Sequence, residues 1–255
     1  MTNDGPRTVD SVQRASDIIM ALRELDGAGV TELANYLGVS KSGVHTQLTT
    51  LERNELVVNE DDQYRLSLQF LDLGRYVRSR VNYYGIVEKG VGKLAERTGE
   101  VAQFMVEEHG RGVYLHKARG ENAIQTSSYV GDRNLLHCTA LGKAILSELP
   151  YDYVEDVIDR HGLPRQTPNT ITDREELLDE LERIREQGVA YDREEILEGM
   201  QCIATSVVTQ DGDLLGAVSV TGPNSRMQRD RLENELADRV EHVANVIEIN
   251  VAQTC

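Results

Sequence analysis

The chain is poor in lysine. Five Lys stand beside 22 Arg, and 27 basic residues face 43 acidic ones, for a formal net charge of −16. It has no apolar run of about 18 residues, which argues against a membrane-spanning helix. The opening MTNDGPRTVD shows no basic stretch followed by an apolar core, so no secretory signal is read there. Cysteine is scarce: Cys138, Cys202 and Cys255 are too few and too widely spaced for a disulfide framework. These absences make a cytoplasmic location the expectation. Internal repeats and low-complexity segments are also missing. With 255 residues and 40% hydrophobic content, the chain can build two modest domains, each with a core.

One absence is local. From Leu33 to Leu51 there is no Asp or Glu, the longest such gap in a very acidic chain. Few lysines among many carboxylates resembles the halophilic composition of proteins from salt-accumulating organisms. In molar salt the Debye length falls to about 3 Å, so distant repulsion from phosphate is screened. Net charge therefore does not exclude nucleic acid, and the charge of the local surface decides.

The gap coincides with a motif. Residues 9–25 place Val12, Ala15, Ile18, Ile19, Leu22 and Leu25 at helical spacing. After DGAG, VTELANYLG reads as a short helix with Thr31 as N-cap and Gly38 as C-terminal cap. Ser40 caps a third helix, KSGVHTQLTTLERN, with Val44, Leu48 and Leu51 facing inward. Two helices joined by so tight a turn make a helix-turn-helix. LVVNEDDQYRL follows as a hairpin wing, which must pack on the helices to be stable.

The rest reads as a linker helix over residues 69–84 and a second domain over 85–255, after a first domain over 1–68. Strands are expected in VAQFMVEEHGRGVYLHKARG, turning at His109–Gly112, and in AIQTSSYV, VAYD, CIATSVVT and LLGAVSVTG. Helices are expected in ALGKAILSEL, DYVEDVIDRHG and DREELLDELERIREQG. The last begins at Asp230, with Leu232, Leu236, Val240, Val243 and Ile247 inward. The fold class is α+β, an antiparallel sheet flanked by helices behind a winged helix-turn-helix.

Five stretches in order resemble the IclR family of transcriptional regulators: SVQRASDIIMAL, VTELANYLGVSKSGVHTQLTTLERNELV, YRLSLQFLDLG, LLHCTALGKAILSELP and YDREEILEGMQCIATSV. The resemblance implies a winged helix that binds double-stranded DNA and a GAF-like domain that binds a small effector. It also implies assembly as a homodimer or a tetramer. The family often has Arg where Thr46 stands and Thr where Gly43 stands. Those departures leave the fold unaffected, but without an Arg fork for guanine the family's operator sequence does not carry over with the resemblance.

The candidate DNA-binding residues are Ser40, Lys41, Ser42, His45, Thr46, Gln47 and Thr49. Lys41 and Ser42 suit a phosphate at a helix N-terminus, and His45, Thr46 and Gln47 suit base edges. A winged helix used only for protein contacts is the alternative.

The candidate effector-binding residues are Thr139, Ala140, Leu141, Asp192 and Cys202. Thr139 can cap a helix whose first amides suit an anion. By resemblance, Ala140 and Leu141 offer amides to a small carboxylate, and Asp192 and Cys202 contact the ligand. Beside Asp192 a second carboxylate is unwelcome, which favours a hydroxy acid or sugar acid. Simple helix capping at Thr139, close packing at Gly142, and a capping and salt-bridge cluster over Asp192–Glu195 are the plainer readings. ALGKA is not a nucleotide phosphate loop, since His137 and Ala144 replace its required Gly and Ser/Thr. A metal site from His137, Cys138 and Cys202 has no support in their spacing. No cofactor and no enzymatic activity are expected. Two other functions stay open: an enzyme pairing Cys138 or Cys202 with His137, and an assembly module without an effector.

Overall fold

The computed structural model describes residues 8–253. The chain forms two compact units, Met1–Val81 and Asn82–Cys255. Their division falls inside the stretch expected as a linker.

In the first unit, α1 (Asp10–Glu24), α2 (Val30–Leu37) and α3 (Lys41–Arg53) surround a core of Ile18, Leu22, Leu33, Val44, Leu48 and Leu51. Gly38 ends α2 in the left-handed conformation at φ +66°, which glycine adopts without steric cost. Only Val39 and Ser40 follow before α3 begins. β1 (Val57–Glu60) and β2 (Gln63–Leu66) pair antiparallel as the wing. Their two-residue turn, Asp61–Asp62, has both φ values positive, as a tight hairpin matched to strand twist requires. α4 (Gln69–Ser79) buries no residue and exposes Leu71, Tyr76 and Val77.

Two details of this unit differ from the sequence reading. α2 starts at Val30, capped by Gly29, so Thr31 lies inside the helix. Ala28 forms a bridge with Tyr64 of the wing, and this holds the chain extended right up to Gly29. Val12 lies on the expected inner side of α1 yet is 67% exposed, because the core begins only at Ile18.

The second unit is built on one antiparallel sheet with strand order β5-β4-β3-β8-β7-β6. The strands are β3 (Val101–Glu108), β4 (Arg111–Arg119), β5 (Arg133–Leu135), β6 (Ala190–Arg193), β7 (Met200–Val208) and β8 (Leu214–Pro223). Strand alternation sends Phe104, Val218 and Val220 to one face, against α5 (Tyr84–Thr98) and α9 (Ala237–Ala252), the latter led in by a π-helical turn at Arg231–Leu236. It sends Met105, Cys202, Ala204 and Ala217 to the other face, under α6 (Ala140–Glu148), α7 (Tyr151–His161) and α8 (Arg174–Gln187). Leu232, Leu236, Val240, Val243 and Ile247 are buried as the periodicity requires.

AIQTSSYV, expected as a strand, is irregular. β4 pairs instead with the short β5 at one end, and the 123–130 segment is held by side chains described below. No helix among the described residues is long and apolar enough to cross a membrane.

Candidate functional site

α6 starts with a built cap. Thr139 is extended, and its Oγ1 accepts from the Gly142 amide at 2.9 Å. Gly142 must be glycine, because a Cβ there would meet the Leu136 carbonyl oxygen at 2.1 Å. That close approach seats the first turn of α6 against Leu136, just past the end of β5.

Beside this N-terminus lies a cavity of about 270 Å³. Thr139, Leu141, Asp192 and Cys202, far apart in sequence, all line it. Ala140 is fully buried at the first position of α6 and is not part of the lining. Asp192 and Cys202 are cross-strand partners on β6 and β7, and Cys202 is in turn the partner of Thr221 on β8. Register thus brings the two expected contacts side by side.

Burial shapes the electrostatics. It pushes the Asp192 carboxyl up to about 7, although its Oδ1 accepts from the Glu195 amide at 2.7 Å. Burial, and then the nearby Asp192, push the Cys202 thiol up to about 12. Burial does the same for Cys138. His137 is lowered by burial, and its Nε2 lies 3.2 Å from the Pro164 carbonyl oxygen. Thiols so disfavoured as thiolates are poor nucleophiles. Among the described residues no group of three metal-ligating side chains comes together. Cys255 lies outside the described residues.

The sequence reading missed most of the lining. Gln103, Tyr114, Thr126, Ser128 and Thr221 also face the cavity. The Thr221 hydroxyl donates to Gln103 Oε1 at 3.3 Å and approaches Cys202 Sγ at 3.0 Å. Gln103 Nε2 donates to Ser128 Oγ at 3.1 Å. Lys117 Nζ donates to Thr126 Oγ1 at 2.5 Å and to the carbonyl and hydroxyl oxygens of Ser128 at 2.6 and 2.8 Å. This network pins the 123–130 segment over the sheet. Its signal was present in the sequence: Gln103 interrupts the apolar run from Val101 to Val106.

The GK and DREE stretches meet through an ion pair. Lys143 is 1% exposed and donates to Glu195 Oε1 at 2.6 Å, with Glu180 at 3.7 Å. Glu194 accepts from the Gly199 amide and from Asn224. The salt-bridge and capping reading therefore describes Arg193, which pairs with Glu233 at 3.7 Å, Glu194 and Glu195, while Asp192 both accepts from the Glu195 amide and faces the cavity.

In the first unit, Ser40 caps α3 by accepting from the Gly43 amide at 3.2 Å. Lys41, Ser42, His45 and Thr46 are exposed, and Gln47 and Thr49 are half-buried. Gln47 lies in a groove with Arg14 and Asp17, and His45 lies near Tyr36 and Gln63.

Comparison with known proteins decides the family. The model of the IclR helix-turn-helix domain matches residues 11–61, and that of the bacterial transcriptional regulator IclR C-terminal domain matches residues 77–249. The chain belongs to the IclR family.

It is 31% identical over 253 residues to the probable HTH-type transcriptional regulator ArcR of Halobacterium salinarum, covering 98% of this chain and 96% of that one. It is 32% identical over 234 residues to the HTH-type transcriptional regulator KdgR of Escherichia coli, covering 91% and 89%. The crystal structure of the Thermotoga maritima IclR superposes with a TM-score of 0.75 at 27% identity, covering 94% and 98%. An IclR homolog from Microbacterium hydrocarbonoxydans, complexed with 4-hydroxybenzoate, shares the fold with a TM-score of 0.77 at 18% identity, covering 94% and 99%. This IclR-family chain is a DNA-binding transcriptional regulator with a C-terminal effector-binding domain. Its named relatives are regulators, not enzymes, and the Cys–His enzyme reading is set aside.

Proposed function

We propose that the chain is a cytoplasmic, effector-controlled regulator that binds operator DNA as a homodimer or a dimer of dimers. Ser40, Lys41, Ser42, His45, Thr46, Gln47 and Thr49 of α3 are its DNA-binding set. α3 supports this reading by being capped, exposed and free of carboxylates until Glu52. The exposed apolar side chains of α4, Leu71, Tyr76 and Val77, support self-association.

The effector is a small anion with a hydroxyl group, a hydroxy acid or sugar acid, held in the cavity beside α6. Its carboxylate takes the partial positive charge at the helix end capped by Thr139 and the amides of Ala140 and Leu141. Its hydroxyl donates to Asp192, and Cys202 closes one wall. One observation carries this reading: a single cavity lined by Thr139, Leu141, Asp192 and Cys202. The 4-hydroxybenzoate held by the homolog of the same fold is also a carboxylate with a hydroxyl. Binding alters DNA affinity only if the ligand prefers one arrangement of the protein over another.

Titration calorimetry of a panel of hydroxy acids, sugar acids and dicarboxylates, with and without Cys202→Tyr and Asp192→Ala, tests the assignment. Both variants should lose binding of whichever acid the wild type takes and keep wild-type DNA affinity. Unaltered binding by both variants places the effector elsewhere.

A further inference from the structure

We propose that a threonine strip on α3 reads the operator, and that it selects A·T pairs through the thymine methyls. This rests on the DNA-binding reading above and narrows it.

Placement comes first. Ser42, Thr46, Thr49, Thr50 and Arg53 recur at intervals of three and four, so they share one side of the helix. That side lies opposite Val44, Leu48 and Leu51, which are at most 5% exposed. Ser42, Thr46, Thr50 and Arg53 are exposed and Thr49 is half-buried. His45 and Gln47 sit on the two flanks, Gln47 in its groove beside Arg14 and Asp17. The middle of the outward face is therefore hydroxyl and methyl, with Lys41 before it and Arg53 after it.

Hydrogen bonding then sets what the strip offers. Thr46 Oγ1 donates to the Ser42 carbonyl at 2.9 Å, Thr49 to that of His45 at 2.9 Å, and Thr50 to that of Thr46 at 3.0 Å. Each hydroxyl proton is spent inside the helix, and each χ1 is held. The threonines present methyl groups and oxygen lone pairs. In the major groove an A·T pair offers a methyl and an N6 amino donor, matching both. A G·C pair also offers an amino donor, N4 of cytosine, but it has no methyl, and its guanine N7 and O6 acceptors meet lone pairs, so the thymine methyl carries the selection. No Arg or Lys stands mid-strip to pair with guanine.

The wing does not supply the missing contacts. Glu60, Asp61 and Asp62 put three exposed carboxylates at its tip, and its Arg65 already pairs with Glu60 at 3.4 Å. Such a tip repels phosphate, leaving sequence reading to α3.

The experiment is selection of the full chain on a random-sequence duplex pool. Enriched half-sites should carry A·T pairs at their central steps. Thr46→Ser and Thr50→Ser remove one methyl each and should lower the preference for thymine at one position about fourfold, the worth of one buried methyl. Thr46→Val keeps the methyl and should retain the preference. Asp61→Asn with Asp62→Asn, both tolerant of positive φ, should strengthen binding to all sequences without changing the preference. Central G·C pairs, or unaltered thymine preference in both serine variants, would overturn the proposal while leaving DNA binding intact. A pool with no enriched sequence would overturn the DNA-binding reading beneath it.

Discussion

Helix α3 opens Ser40-Lys41-Ser42-Gly43 and helix α6 opens Thr139-Ala140-Leu141-Gly142. In each, the capping hydroxyl accepts from the amide of the glycine three residues on, at 3.2 Å and 2.9 Å. The two N-termini share a local design and differ in surroundings. The first turn of α3 is open to water, and Lys41 adds a solvated charge. The first turn of α6 is buried on the sheet, and its lysine, Lys143, is consumed by Glu195. A helix end in water is weakened by screening and suits a polyanion met through many contacts. A buried helix end keeps its partial charge undiluted and suits one small group of matching shape.

The strongest way to break this comparison is to exchange the two lysines for methionine. Lys143→Met should destabilise the second unit by about 3–5 kcal/mol, because it leaves Glu195 charged and buried without its partner. Lys41→Met should change stability by less than about 0.5 kcal/mol, as an exposed substitution does. Urea unfolding of both variants measures the difference. Equal effects would mean that the burial of Lys143 does not govern its energetics.

Removing the caps sharpens it further. Thr139→Ala and Ser40→Ala should each cost about 1 kcal/mol. The larger loss is expected at Thr139, which is buried where Ser40 is exposed. Thermal unfolding followed by circular dichroism resolves the ranking, and a larger loss at Ser40 would contradict it.

Function separates the ends next. Lys41→Ala should weaken binding to all DNA sequences alike and reduce the salt slope by about one unit per winged helix. It should leave calorimetric effector binding unaltered. A change in sequence preference would place Lys41 on a base.

The smallest effect is expected from pH. Asp192 is raised to about 7, mainly by burial. A ligand hydroxyl that donates to it favours the ionised form, so binding lowers its pKa and releases a proton. Affinity should then rise between pH 6 and 8, on the order of threefold. Asp192→Asn should flatten the profile. Affinity that falls over this range would put the ligand's acid group, not its hydroxyl, against Asp192.

Much of this was legible before any coordinates. The spacing of Val44, Leu48 and Leu51, the glycine at 38 and the hydroxyl at 40 are local signals, and they specify a helix-turn-helix by themselves. The caps at Ser40 and Thr139 and the close packing at Gly142 were equally local. Where a tertiary contact overrode the local signal, the reading missed. Ala28 bridging to Tyr64 moved the start of α2, and the Lys117 hydrogen bonds took the place of a strand over residues 123–130.

The sequence by itself determined most of the elements, their order, the acid-free helix and the family, because caps, turns and hydrophobic periods act over a few residues. Only the tertiary structure decided which polar side chains share the cavity. Gln103, Thr221 and Cys202 meet through strand register across β3, β8 and β7. Lys143 finds Glu195 only once α6 has settled on the sheet. Such partners are distant along the chain, and the energy that selects them is burial of the whole sheet face, which no local pattern of residues encodes.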